Sequence, residues 1–319
     1  MTIKRVADNA SKPSLFGIKK SNRDFSEKAC WGKNQFNNAF PASLACYLHH
    51  KEVMPVYIKL DNNSNIIHDK VDVENVFGIN PSSENLYFGF EKEYSPYAPL
   101  VIDSLPRIDL VTFDTSGNTA KCLRPIEIKL TALPDNQTCD YEEKGYGSEI
   151  VVRPDTIVYL ALSIALEYID KKDVLFSLLD DSCGKKINWE EEQVVLPIVP
   201  DIIMAIEKLL DLSYELQQPF LMQPIWKTLG KTLKFADGCF DIFIWSELAF
   251  IKLFLDVSKN NRQTSITRHT RTVIWLAQMV YQFSKNGQID HASIIDKLSY
   301  NTKNDKAFAC SGQITNTYM

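Results

Sequence analysis

Apolar and polar positions change their rhythm along the chain, and each rhythm predicts an element. Val56-Tyr57-Ile58-Lys59-Leu60, the polar stretch Asp61 to Asn65 and then Ile66-Ile67-His68 read as strand, turn and strand. Strand signals recur at 100–102, at 107–113 and at 125–130, the last two joined across the turn-forming run Asp114-Thr115-Ser116-Gly117-Asn118. Helical spacing appears over 42–48 behind Pro41, where a first-turn proline loses no hydrogen bond. After Pro154 the rhythm becomes helical almost throughout, over 155–169, 201–216, 247–257 and 267–283, with one further strand candidate at 240–245. Residues 1–39 are polar and predict loops and a short helix. The expected class is therefore α/β (α+β): a mixed region over 1–170, then a mostly helical region over 171–319, with a soft boundary that allows one shared core.

Of the 319 residues, 45% are hydrophobic and 24% charged, which suits a folded chain with a full core and excludes disordered or collagenous classes. The seven cysteines are scattered and form no C-x-x-C pair, so they predict reduced thiols rather than a zinc or redox site. No secretory leader and no apolar run long enough for a membrane span is legible, and the expectation is a soluble, cytoplasmic protein. A net charge of −5 argues against a general nucleic-acid coat, although an acidic protein can keep a locally basic cleft. The five histidines have no metal-ligand spacing, and neither a nucleophile elbow nor a P-loop is present, which removes serine hydrolases and nucleoside triphosphatases.

Candidate chemistry sits in Arg107-Ile108-Asp109-Leu110-Val111 and Pro125-Ile126-Glu127-Ile128-Lys129-Leu130. On a strand, alternate side chains share a face, so Glu127 and Lys129 point together while Ile126, Ile128 and Leu130 point into the core. Pairing with the preceding strand brings in Asp109, giving two carboxylates for a divalent cation beside an ammonium. That set suits phosphodiester hydrolysis, in which a cation lowers the pKa of bound water and a lysine offsets developing charge. An acid two residues before a lysine also occurs at Glu142/Lys144 and Asp170/Lys172, but only the pair at 127 and 129 is flanked by apolar alternation. Read without chemistry, the same residues form a solvated strand face with a cross-strand ion pair.

Asp109 followed by Glu127-Ile128-Lys129 is similar to the PD-(D/E)xK nuclease motif, with Pro106 three residues ahead of Asp109 rather than adjacent. Over roughly 14–165, the segments Trp31 to Phe36, Ser104 to Leu110, PIEIKLTALPD (125–135) and YGSEIVVRPDTIVYL (146–160) resemble the HindVP family of type II restriction endonucleases. The resemblance implies a PD-(D/E)xK core with a mixed sheet flanked by helices. It also implies Mg2+ held by Asp109 and Glu127, with Lys129 beside the attacking water. The implied substrate is double-stranded DNA cut at a short palindrome, for which the namesake site G-purine-C-G-pyrimidine-C (GRCGYC) is the candidate. A third acid often lies upstream on a helix in such nucleases, and Glu91 and Glu93 are its candidates here, as well as an ordinary surface charge cluster. Glu149 and Arg153 either touch the site or pair with each other. A palindrome predicts a homodimer, and restriction predicts a cognate methyltransferase in the same system without physical association. The alternatives are a structure-selective repair or recombination nuclease and a non-catalytic DNA-binding module.

Base edges are read by arginine, lysine, asparagine and glutamine. The stretch 258–271 holds Lys259, Asn260, Asn261, Arg262, Gln263, Arg268 and Arg271 and no carboxylate, between two apolar helix candidates. It reads as a DNA-contacting loop and helix start, or as a solvated interhelical loop. Asn22 and Arg23 with Lys33, Asn34 and Gln35, interleaved with Phe25, Trp31 and Phe36, form the second DNA-binding candidate.

Overall fold

The computed structural model describes residues 17–25, 33–130, 150–223, 226–229, 232–235, 243–260, 264–300 and 308–310. In chain order the elements are α1 (Lys33–His50), β1 (Val56–Leu60), β2 (Ile66–Lys70), α2 (Val73–Phe77), β3 (Leu86–Lys92), β4 (Ile108–Asp114), β5 (Lys121–Ile126), β6 (Lys129–Leu130) and β7 (Ile150–Val152). Then follow α3 (Pro154–Glu167), α4 (Lys172–Cys183), α5 (Glu192–Val195), α6 (Val199–Ser213), β8 (Pro219–Gln223), β9 (Trp226–Leu229), β10 (Thr232–Phe235), β11 (Phe243–Ser246), α7 (Glu247–Asn260), α8 (Arg268–Asn286), α9 (His291–Lys297) and β12 (Phe308–Cys310).

Two sheets position the motif. One is antiparallel with order β3-β4-β5; the other is mixed with order β2-β1-β11-β8-β6, parallel at β1–β11 and β6–β8. Two-stranded pairs β9–β10 and β7–β12 complete the set. The three-stranded sheet has apolar side chains on both faces, as a doubly covered sheet requires. Leu86, Phe88, Phe90, Leu110 and Ile126 pack in a smaller core with α1 and α2. Val111 and Phe113 face a larger core built with α3, α4, α6, α7 and α8, which includes Leu160, Ile206, Phe250 and Trp275. That larger core draws on residues from both sides of position 170, and so does the mixed sheet, where β1 pairs with β11.

Several sequence expectations are corrected. The helix expected from Pro41 begins at Lys33 and carries Pro41 in its interior; the Asn-rich first turns lack the apolar period that would have announced them. Residues 95–100 form a 3-10 helix, two of them prolines that cannot donate to a strand ladder, and Val101 makes only an isolated bridge to Ile289. The strand expected over 125–130 is two strands: β5 ends at Ile126, and after Glu127-Ile128 the chain re-enters as β6 in the other sheet, opposite Met222 and Gln223 of β8. The alternation survives the break, since Ile126 and Ile128 are both buried.

Candidate active site

The break between β5 and β6 is where the motif sits. In β4, Leu110 pairs with Ile126, so the antiparallel register carried one step further sets Asp109 opposite Glu127. The Asp109 carboxylate accepts a hydrogen bond from the Ile128 backbone N–H, Oδ2 at 2.9 Å. A ladder bond that the departing strand no longer makes is thus replaced by a side-chain acceptor, which fixes Asp109 against the peptide between Glu127 and Lys129. Lys129 opens β6 at the register position opposite Met222.

Glu127 is held from the other side by α3. The Thr156 hydroxyl donates to Glu127 Oε1 at 3.0 Å, and Thr156 itself is buried in the first turn of the helix. Pro154 sets that turn, and the Thr156 N–H donates to the Arg153 carbonyl, so the hydroxyl is presented from a rigid start. Helix N-terminal N–H groups favour negative charge, which places the Glu127 carboxylate at a suitable pole. One turn on, Tyr159 donates to the Pro106 carbonyl, three residues before Asp109. The same helix face therefore ties down both acid-bearing segments. Burial raises the Tyr159 phenol well above its ordinary pKa, and the nearby charges of Glu127, Glu93 and Asp155 add to the shift.

The two candidates for a third acid differ in place. Glu93 follows the end of β3 and is exposed. Glu91 lies on strand β3, not on a helix; the pairs Phe90–Leu110 and Lys92–Ile108 leave it opposite Asp109, in a left-handed conformation with φ 51°. Its carboxylate is 3.5 Å from the Arg23 guanidinium, which lies 4.6 Å over the Phe90 ring with only 8% of its side chain exposed. Asn22 is likewise committed: its side-chain amide both donates to and accepts from the Phe90 backbone at 2.9 Å, continuing an edge pairing begun by Ser21 and Phe88. Asn22 and Arg23 thus serve as a docked edge of the β3-β4-β5 sheet. Lys33, Asn34 and Gln35 stand in the first turn of α1.

The stretch 258–271 looks different in space than in sequence. Lys259 forms an ion pair with Glu207 of α6, and the Ile266 N–H donates to Glu192 of α5 at 2.6 Å, so carboxylates from elsewhere face a segment that has none of its own. Asn260 ends α7, and Thr267 caps α8 by accepting from the Thr270 N–H. Arg268 lies in the first turn of α8, half-buried, whereas Arg271 is 0% exposed, with its guanidinium 4.4 Å over Trp275. Asn261, Arg262, Gln263 and Glu149 lie outside the described residues, and Arg153 is the exposed N-cap of α3. Sequence reasoning missed Thr156, Tyr159 and Asp155; the signal that points to them is Pro154-Asp155-Thr156, a helix start 25 residues beyond Lys129.

A second polar group lies further along α3. Ser163 donates to Glu247 at the start of α7, in a small cleft also lined by Arg124, Glu167, Gln218, Tyr94 and Tyr97. Burial pushes the Glu247 carboxyl up to about 7; the Ser163 hydrogen bond opposes this, Glu167 reinforces it and Arg124 opposes it. Between the ordinary carboxyl value of about 4.3 and about 7 the folded protein keeps a proton that the unfolded chain has released. Stability therefore falls as pH rises through that interval and stays lower above it. Glu247→Gln is expected to raise stability by about 1–3 kcal/mol at alkaline pH and by little at acid pH, read as thermal midpoints across the range. An equal shift at both ends would show that Glu247 does not titrate there.

Among the described residues no group of three or more His, Cys, Asp or Glu is placed to hold a metal ion. A carboxylate pair is nevertheless the donor set that suits Mg2+, which keeps waters and takes one or two carboxylates plus substrate phosphate, and it does not suit a four-ligand zinc site. Two acids held at a sheet break, with a lysine two residues on, match the pattern of the nuclease motif that the sequence resembles. The chain belongs to the HindVP restriction endonuclease family, whose description matches residues 31–319. It is 44% identical over 312 residues to the type II restriction enzyme HgiDI of Herpetosiphon aurantiacus, covering 98% of this chain and 86% of that one. It is also 44% identical over 310 residues to the probable type II restriction enzyme HindVP of Haemophilus influenzae, covering 97% and 82%. No solved structure matches. The α+β architecture agrees with the PD-(D/E)xK-like fold expected of this family, and no helix among the described residues is long and apolar enough to cross a membrane.

Proposed function

We propose that the protein is a type II restriction endonuclease that hydrolyses one phosphodiester per strand of duplex DNA at a short palindrome, with GRCGYC as the candidate site. The observation that carries the proposal is the hydrogen bond from the Ile128 N–H to Asp109, which fixes the two halves of the motif against each other at the point where β5 leaves its sheet. Asp109 and Glu127 are the residues that would hold Mg2+, and Glu91 and Glu93 are the proposed candidates for a third acid. Bound there, the cation would supply Lewis-acid polarisation of the phosphate and a lowered pKa for water. The protein's own part is positional and electrostatic. Ile128 holds Asp109, Thr156 holds Glu127, and the Lys129 ammonium steadies the water and the charge that develops on the phosphoryl oxygens. The products are a 5′ phosphate and a 3′ hydroxyl.

Arg268, Lys259, Asn260, Asn261, Arg262 and Gln263, with Lys33, Asn34 and Gln35, remain the proposed DNA-contacting set; the buried Arg271 and the committed Asn22 and Arg23 leave it. The protein is proposed to act as a homodimer whose two-fold axis matches the palindrome, beside a methyltransferase that protects host sites. Digestion of a long duplex with and without Mg2+ tests the reading. Discrete Mg-dependent fragments whose mapped ends share one palindrome support it. Cuts that follow branched or flapped structure would favour a repair nuclease, and binding without cutting would leave a DNA-binding module.

A further inference from the structure

We propose that Ser163, Glu247, Gln218 and Arg124 are positioning residues for cleavage, closing a hydrogen-bonded ring that fixes the Glu127 carboxylate relative to Lys129; this rests on the nuclease reading above. The ring starts on α3. Thr156, Tyr159, Ser163 and Glu167 recur at helical spacing and so share one face of a helix whose middle is otherwise apolar. Thr156, Tyr159 and Ser163 are all buried, and a buried polar group is costly unless a partner meets it. Each has one: Thr156 donates to Glu127 Oε1, Tyr159 to the Pro106 carbonyl and Ser163 to the Glu247 carboxylate. The stripe thus ties α3 to the motif at one end and to the start of α7 at the other.

From α7 the ring returns to the motif through the residue that precedes β8. The Glu247 N–H donates to the Gln218 carbonyl at 3.0 Å, and the Gln218 side chain accepts from Arg124 Nη1 at 3.1 Å. Arg124 lies on β5, on the same short strand end as the motif, and its own N–H donates to Thr112 Oγ1 of β4 at 3.2 Å. β5 and β8 belong to different sheets, and the cleft they flank is lined by Pro125 and Pro219, which have no N–H to give to a ladder. Side chains therefore make the link there that backbone groups cannot. The motif segment is bracketed against β8 at two points, Arg124 on Gln218 and Lys129 in register with Met222. Glu127 lies between them and is reached from α3 by Thr156. Loosening any member frees Glu127 to shift relative to Lys129, and a misplacement of about 1 Å is enough to slow a reaction about a hundred-fold.

The test is a double-mutant cycle on Arg124→Met and Gln218→Leu in the full chain, with Ser163→Ala as a milder break of the same ring and Ile206→Val, in the core behind α6, as a control for lost stability. Three quantities are read: the single-turnover cleavage rate at saturating duplex, the Mg2+ concentration for half-maximal rate, and the rise in melting temperature that Mg2+ gives the DNA-free protein. Each ring substitution is expected to lower the rate and raise the Mg2+ requirement by about ten-fold or more, and to shrink the Mg2+-dependent rise in melting temperature. Duplex affinity without divalent metal should stay at the wild-type value. The double variant should fall no further than the worse single one, and Gln218→Glu, which keeps an acceptor for Arg124, should recover most of the loss. Ile206→Val should melt earlier with a wild-type Mg2+ requirement. Additive losses, no recovery in Gln218→Glu, or a wild-type Mg2+ requirement in every ring variant would overturn the ring while leaving the nuclease reading intact, provided wild type cuts. A wild type that neither cuts duplex DNA nor is stabilised by Mg2+ would overturn both.

Discussion

Asp109→Ala and Lys129→Ala are each expected to lower Mg-dependent cleavage by about a thousand-fold or more, which corresponds to about 4 kcal/mol of transition-state stabilisation, while duplex binding persists. The two variants should differ in stability. Alanine at 109 leaves the Ile128 N–H without the acceptor it has at 2.9 Å, and a buried donor left unsatisfied costs about 1–3 kcal/mol. Asp109→Asn keeps an acceptor and loses the charge, so it should abolish cutting with little change in melting temperature. Thr156→Val deletes the hydroxyl that reaches Glu127 without changing side-chain size, and support of this kind is worth about 10–100-fold. Thr156→Ser should recover most of that loss, together with the Mg2+ concentration needed for half-maximal rate. Single-turnover cleavage beside thermal melts checks the series. Cutting by Lys129→Ala at the wild-type rate would sink the assignment of Lys129, and full activity in Thr156→Val would remove α3 from the positioning of Glu127.

What the chain discloses on its own follows from how local each signal is. The β1–β2 hairpin, β4 and helices α3, α6, α7 and α8 are legible because each carries its period within its own residues; α8 alone buries Val273, Ile274, Leu276, Ala277, Met279, Val280 and Phe283. The motif is legible for the same reason, as Ile126 and Ile128 bracket Glu127. The sheet break is not legible, because only the distant β8 decides that the chain leaves β5's sheet at Glu127. Nor is β3, whose Gly89 and charged end obscure a strand. Its ring packing needs that glycine, since a Cβ there would stand 2.7 Å from Phe113. Charge patterning misleads most at 258–271. A segment free of acids in sequence is answered by Glu207 and Glu192 from two other helices, and helical phase turns Arg271 inward while Arg268 stays at the helix start.

Arg271 gives the second large effect, and it separates a structural cation from a DNA contact. The side chain is fully buried, lies over Trp275 one turn along α8, and that indole donates its Nε1–H to the Leu298 carbonyl at 2.8 Å. Removing so large a buried side chain opens a cavity, strips apolar contacts from its methylenes and ends a desolvated cation–π contact. Arg271→Ala is therefore expected to destabilise the protein by about 3 kcal/mol or more, a fall of about 4–5 °C or more in melting temperature for a chain of this size. Arg271→Met keeps most of the volume and should cost less, leaving enough folded protein to titrate with DNA. Its affinity should have the same salt slope as wild type, because no phosphate contact is lost. Arg268→Ala, three residues earlier and half-buried at the helix start, should behave in the opposite way, with an unchanged melting temperature and a slope lower by about one. A lowered slope in Arg271→Met would mean that α8 repacks on DNA and brings this guanidinium out, and the helix would then have to be read as part of the recognition surface.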